Sequence, residues 1–160
     1  TEYPSREERR SMASEYIKTG KLQGYLAYAD GKLAGWCNAN TKSECMNCGG
    51  WLFTMPEVRK LQGNTEEKVK SIYCFLIAPE MKRKGIAKQL LHYICQDAKK
   101  QGFDYVEAYP WKETTDERLF FMGFVDLYKN LGFEIHGETE NKFVMRKSLE
   151  NAQILNHCQG

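Results

Sequence analysis

Apolar and polar positions along the chain fall into segments with two different periods. Ser5 and Glu8 have the spacing of a capping box. Met12, Ala13, Tyr16 and Ile17 then form an apolar stripe that stops at Gly20, which predicts a short helix. The segment GYLAYADGKLAGWCN holds two β-prone runs around Asp30-Gly31, a pair that supplies the positive φ values of a tight hairpin turn. From Val69 to Pro79 the residues VKSIYCFLIAP are almost continuously apolar, as in a strand covered on both faces in mid-sheet. Behind it, Ile86, Ala87, Leu90, Leu91, Ile94, Cys95 and Ala98 repeat at helical spacing up to a stop near Gly102. FDYVEAYP reads as the next strand, parallel to the first because a helical crossover joins them. A polar stretch follows, then a short helix around Val125 to Leu131 ending at Gly132, and two closing strands, FEIHGE and KFVMRKSL. Residues 39 to 68 are poorly periodic, with helical turns only near MPEVRKLQG, and are the expected place for substrate-facing loops. The pattern predicts an α/β fold with a mixed sheet.

The length of 160 residues suits a single domain over 1–160, in which the tail from 150 to 160 carries no usable signal. Lys and Arg number 23 against 21 Asp and Glu, so no global field favours nucleic acid or an anionic membrane, and neither partner is expected. No stretch approaches the ~18 apolar residues of a membrane span, and TEYPSREERR lacks the apolar centre of a signal peptide. A cytoplasmic location is the expectation. The chain opens on Thr1 rather than Met, which leaves room for an upstream element.

The six cysteines fall well below the density of a disulfide scaffold and read mostly as reduced thiols. Cys45 and Cys48 alone have ligand-like spacing. A zinc site needs about four donors; Cys37 adds a third and no clear fourth is near, so no metal is expected.

The stretch MKRKGIAKQLL, residues 81 to 91, gathers cations where the buried strand hands over to the helix. First-turn amides of a helix have no intrahelical partners, and Gly85 lets the backbone approach a ligand or adopt positive φ. The amides of Arg83 to Lys88 and the helix dipole therefore form an anion site. Cations at a helix N-terminus oppose the dipole and call for a compensating anion. The spacing is neither that of a P-loop nor the full dinucleotide fingerprint.

FLIAPEMKRKGIAKQLL together with LYKNLGF resembles the GCN5-related N-acetyltransferase (GNAT) family, whose acetyl-CoA motif is Gln/Arg-x-x-Gly-x-Gly/Ala after a strand. Lys82-Arg83-Lys84-Gly85-Ile86-Ala87 stands at that motif, with Lys82 in place of Gln or Arg. The resemblance runs from about Gly24 to Leu149. It implies a mostly antiparallel sheet split at its central parallel strands, with helices on both faces, and acetyl-CoA as co-substrate. Phe75, Leu76 and Ile77 would present backbone groups to the pantetheine arm and to the thioester oxygen, and Lys82, Arg83, Lys84, Gly85, Ile86, Ala87 and Lys88 would hold the pyrophosphate. Family members open with a strand before their first helices. This chain is expected either to lack that strand or to start its sheet with the hairpin.

By the same resemblance Tyr128, ahead of Gly132-Phe133, is the acid that protonates the departing thiolate. A phenol of pKa ~10 suits a thiol of pKa ~8.5, given some tuning. Glu107, between Val106 and Ala108, resembles the acidic position some members use as general base; a surface glutamate on a half-exposed strand is the alternative. Phe121 stands where many members carry an Asn, and the loop from Pro110 to Phe121 is longer than in compact members. Trp36, Tyr73, Tyr109 and Trp111 are candidates for an acceptor pocket or for core. The expected activity is acetyl transfer to a primary amine by direct attack, the acceptor being a small molecule or a protein amine, in a monomer or homodimer. A CoA- or nucleic-acid-binding module without turnover is the alternative.

Overall fold

The computed structural model describes residues 4–47, 55–61 and 66–150. Its elements follow the predicted order, with one helix, α2, added in the stretch expected to be poorly periodic: helix α1 (Arg6–Lys18), strands β1 (Gly24–Ala29) and β2 (Lys32–Thr41), helix α2 (Lys42–Met46), strand β3 (Val69–Ile77), helix α3 (Ile86–Lys100), strand β4 (Tyr105–Ala108), helix α4 (Val125–Lys129), and strands β5 (Glu134–Glu138) and β6 (Phe143–Ser148). The six strands make one sheet in the order β1-β2-β3-β4-β6-β5. Every neighbouring pair is antiparallel except β3 and β4 in the middle. A crossover through α3 enforces that parallel pair, as the sequence predicts.

Local chemistry accounts for most boundaries. Ser5 and Glu8 form the reciprocal capping box of α1, and Asp30 and Gly31 take φ of 50° and 74° to turn β1 into β2. The stripe on α1 does not enter the core: the helix buries no residue, and Met12, Tyr16 and Ile17 are exposed. Helical period alone reports an amphipathic helix, not what covers it. β2 also runs past the predicted Asn38 to Thr41, because Ala39 and Asn40 continue its ladder with β3.

Two apolar clusters lie on the two faces of the sheet. Leu90, Leu91, Ile94 and Ala98 of α3 meet Cys37, Ile72, Phe75, Val106 and Met145, with Tyr128 and Phe133 from the α4 end. The other face packs Cys45 of α2 with Met55, Val58, Tyr109, Met122 and Val144. Cys37 and Cys45 therefore belong to opposite faces and cannot share a metal; Cys48 lies outside the described residues. Cys37, Cys74 and Cys95 are free thiols. Among the described residues no helix is long and apolar enough to cross a membrane.

Candidate functional site

The sheet is interrupted at its centre. β3 pairs with β4 only from Val69↔Tyr105 to Ile72↔Ala108, whereas its pairing with β2 continues to Ile77↔Gly35. A bulge sits at the point of departure. Asn38 opposes Cys74 and Ala39 opposes Ile72, so Tyr73 is the extra residue on β3. Among the described residues, the half of β3 holding Phe75, Leu76 and Ile77 thus has no strand partner on its β4 side, and its backbone groups there are available to a ligand. On the α2 face the 3-10 turn Glu117–Met122 packs against β3, with the Phe121 ring 6.4 Å from that of Tyr73.

β3 leads directly to the mouth of α3. Pro79–Met81 makes one 3-10 turn, Arg83 and Gly85 take φ of 61° and 79°, and Gly85 caps the helix with no side-chain bond and no acidic residue in the first turn. Among the described residues the amides of Arg83 to Lys88 donate to no backbone acceptor, and a Cβ at Gly85 would meet nothing within 4 Å. The mouth is open. Gly35 on β2 brings it close to the sheet: a Cβ there would lie 2.8 Å from Ile77 Cδ1 and 3.1 Å from Ile86 Cγ2. Unpartnered amides, a positive helix end and surrounding Lys82, Arg83, Lys84 and Lys88 fit a diphosphate, and the free β3 edge next to them fits an extended amide-bearing arm. Coenzyme A has both parts.

A scan of protein-family models decides what kind of chain this is, for the acetyltransferase (GNAT) family model matches residues 1–133. The chain belongs to the GNAT acetyltransferase family. Solved GNAT-fold structures agree in architecture. A chimeric spermidine N-acetyltransferase from Vibrio cholerae is 16% identical with a TM-score of 0.62, over 92% of this chain and 78% of that one. The PaiA N-acetyltransferase from Thermoplasma acidophilum, solved in complex with coenzyme A, is 20% identical with a TM-score of 0.56, over 90% and 71%. A ribosomal-protein-alanine N-acetyltransferase from Brucella melitensis is 14% identical with a TM-score of 0.54, over 91% and 79%. At such identities the likeness is one of fold. No curated protein sequence matches the chain significantly.

Within this GNAT fold Tyr128 is fully buried on α4, in the same cluster as Phe75, its ring 5.4 Å from that of Phe133. Its hydroxyl donates to the Met122 carbonyl at 2.7 Å, and Gly123 presses against it so closely that a Cβ there would lie 2.8 Å from the phenol oxygen. Burial, reinforced by the thiols of Cys37 and Cys74, pushes its pKa well above the usual phenol value. The tuning therefore runs toward a weaker acid that stays protonated, away from the pKa of a thiol.

Glu107 is not a surface residue on a half-exposed strand: it is 0% exposed, on the α2 face of β4. Its Oε1 pairs with Lys42 Nζ at 2.7 Å and accepts from the Tyr109 hydroxyl at 2.9 Å. Its Oε2 accepts from Arg146 Nε at 2.9 Å and pairs with Arg146 Nη2 at 2.8 Å. Arg146 reaches on to Glu67 at 2.8 Å, and Ser71 donates to Tyr109. Burial alone would raise the carboxyl pKa, but Lys42 and Arg146 together bring it below the ordinary value.

Of the aromatic candidates, Trp111 and Tyr109 lie on the α2 face, Tyr73 packs at its edge, and Trp36 lies elsewhere, folded over Gly24. Lys42, Met122, Lys142 and Arg146 were not legible as site residues. A lysine at the start of a strand such as β6 reads as solvent-exposed, yet Lys142 is 4% exposed. Desolvation brings its pKa down to about 8 from 10.5. Since the unfolded chain then binds a proton that the folded one lacks, stability contributed at this position rises with pH from about 8 to 10.5. Lys142→Met is expected to raise the melting temperature by a few degrees at pH 7, with the difference from wild type shrinking across that window in pH-resolved thermal melts.

Proposed function

We propose that the chain transfers the acetyl group of acetyl-CoA to a primary amine by direct attack. The observation that carries this reading is the adjacency of the free half of β3 to the open, amide-lined mouth of α3, which together match the two ends of coenzyme A. Bound acetyl-CoA supplies an acetyl thioester activated toward amines. Around it, the amides of Arg83 to Lys88 hold the diphosphate while Lys82, Lys84 and Lys88 add charge, and the free edge at Phe75 to Ile77 orients the arm and offers N–H donors to the carbonyl oxygen.

Tyr128 is the proposed acid. Its proton is at present given to a neutral carbonyl, that of Met122. A thiolate is a stronger acceptor than a neutral carbonyl, so the phenol would exchange Met122 for the sulfur as it gives up its proton. Glu107 is better suited to positioning than to proton removal. Both of its oxygens are already filled by donors from Lys42, Tyr109 and Arg146, and its lowered pKa makes it a poor base. Its role is to tie α2, β4 and β6 into one wall of the acceptor side.

Acetyl-CoA at about 100 times its Kd is expected to stabilise the chain by about 2.7 kcal/mol, read as a raised melting temperature, and thiol is expected to appear when a suitable amine is added. The proposal fails if neither acetyl-CoA nor CoA shifts the melt at millimolar concentration. A shift without thiol release from any amine would leave a CoA-binding module instead. Oligonucleotide binding that weakens steeply with salt and that CoA cannot displace would favour the nucleic-acid reading.

A further inference from the structure

A cavity of about 210 Å³ opens beside the turn between β5 and β6. Met55, Val58 and Trp111 form its apolar wall, and Thr139, Asn141 and Lys142 its polar one. Trp111 and Lys142 face each other across an isolated antiparallel bridge, which seats the ammonium 3.2 Å from the indole centroid. The other contact of that ammonium is Met122 Sδ at 2.9 Å. Both are neutral groups, and among the described residues Lys142 forms no ion pair. Glu57, which also lines the cavity, is exposed, and the neighbouring Lys112 and Glu138 satisfy each other at 2.7 Å. The Trp111 indole N–H is buried without a hydrogen-bond partner.

Two buried donors thus stand beside an apolar wall: the Trp111 N–H has no acceptor, and the Lys142 cation has only the weak thioether acceptor of Met122. A buried cation without an anion is costly, and the complementary group is an anionic oxygen pair carried on apolar surface. A polyamine would bring further positive charge to a wall whose buried charge is already positive. Behind Lys142, Met122 leads from the cavity toward the proposed acid, since it meets Lys142 with its sulfur and Tyr128 with its carbonyl.

We propose that this cavity is the acceptor subsite and that it takes the carboxylate of an amine with an apolar side chain, as in a free amino acid. Lys142 and the Trp111 N–H are its donors. This rests on the reading of the chain as an amine acetyltransferase.

The test compares L-leucine and L-phenylalanine with their amides in thiol release from acetyl-CoA. The amides have the less basic amines and would react better if charge played no part, so a preference for the acids is informative. Wild type is expected to favour the acids by about tenfold or more in kcat/KM, and Lys142→Met to lose that preference while its acetyl-CoA melting shift is kept. Trp111→Phe, which keeps the ring and removes only the N–H, is expected to lower the preference several-fold. Binding of N-acetyl-leucine, against N-acetyl-leucinamide, is followed separately by tryptophan fluorescence and melting temperature. Equal use of acids and amides by wild type, or an unchanged preference in Lys142→Met, overturns the proposal. If no amine releases thiol but N-acetyl-leucine binds wild type and not Lys142→Met, the carboxylate site stands and the transferase reading falls. Absence of both turnover and N-acetyl-leucine binding removes the site.

Discussion

Tyr128→Phe is expected to lower amine-dependent thiol release by about 10²-fold or more while leaving acetyl-CoA affinity within a few-fold of wild type. The substitution deletes one hydroxyl from a fully buried ring and otherwise keeps its packing on Phe133. It also strips the Met122 carbonyl of its donor, a loss of about 1–3 kcal/mol if no water replaces it. Melting temperature and acetyl-CoA affinity therefore have to be measured beside turnover, because a structural role alone would lower the first and leave the reaction rate of the folded enzyme intact. Equal turnover in mutant and parent removes Tyr128 from the mechanism. The pH profile is a second check. Because burial raises the phenol pKa well above its usual value, Tyr128 stays protonated throughout the neutral and mildly alkaline range, and no alkaline fall in rate below pH ~10 is expected from it.

Glu107→Ala is expected to cost about 3–5 kcal/mol of folding stability, a large share of the roughly 5–15 kcal/mol available to a domain. The reason is what it leaves behind: the largely buried Arg146 keeps Glu67 as its carboxylate partner among the described residues, beside the Tyr105 ring, and Lys42 loses the carboxylate it pairs with. The linkage has a definite sign. The carboxyl pKa is lowered in the folded state, so its contribution is complete above the ordinary value of 4.5 and is lost as pH falls through the lower folded value. Urea melts from pH 7 down to pH 3 should show wild type losing stability in that acid window more steeply than Glu107→Gln. A general base would behave differently: Glu107→Gln would then abolish turnover with little change in stability.

The crossover pair illustrates what periodicity conveys. A continuous apolar run at Val69–Ile77, a helical stripe from Ile86 to Ala98 and a short strand at Tyr105–Ala108 leave one topology open, a parallel pair in mid-sheet. The open mouth of α3 was legible for a similar reason. Gly85 and the amides after it act through the backbone, and backbone chemistry at a strand-to-helix junction is written in local sequence. α1 shows the limit of that logic, since its stripe is real but exposed.

The sequence by itself determined the order of elements, the parallel centre of the sheet and the position of the open helix mouth at Gly85, because each depends on spacing within one short segment. Only the tertiary structure decided the environments of the charged and titrating groups. Glu107 meets Lys42 and Arg146, Tyr128 donates a hydrogen bond to the Met122 carbonyl, and Lys142 is buried against Trp111 with no ion pair among the described residues. Those partners come from elements far apart in the chain, and desolvation and Coulomb interactions depend on distance in space, which a linear pattern does not contain.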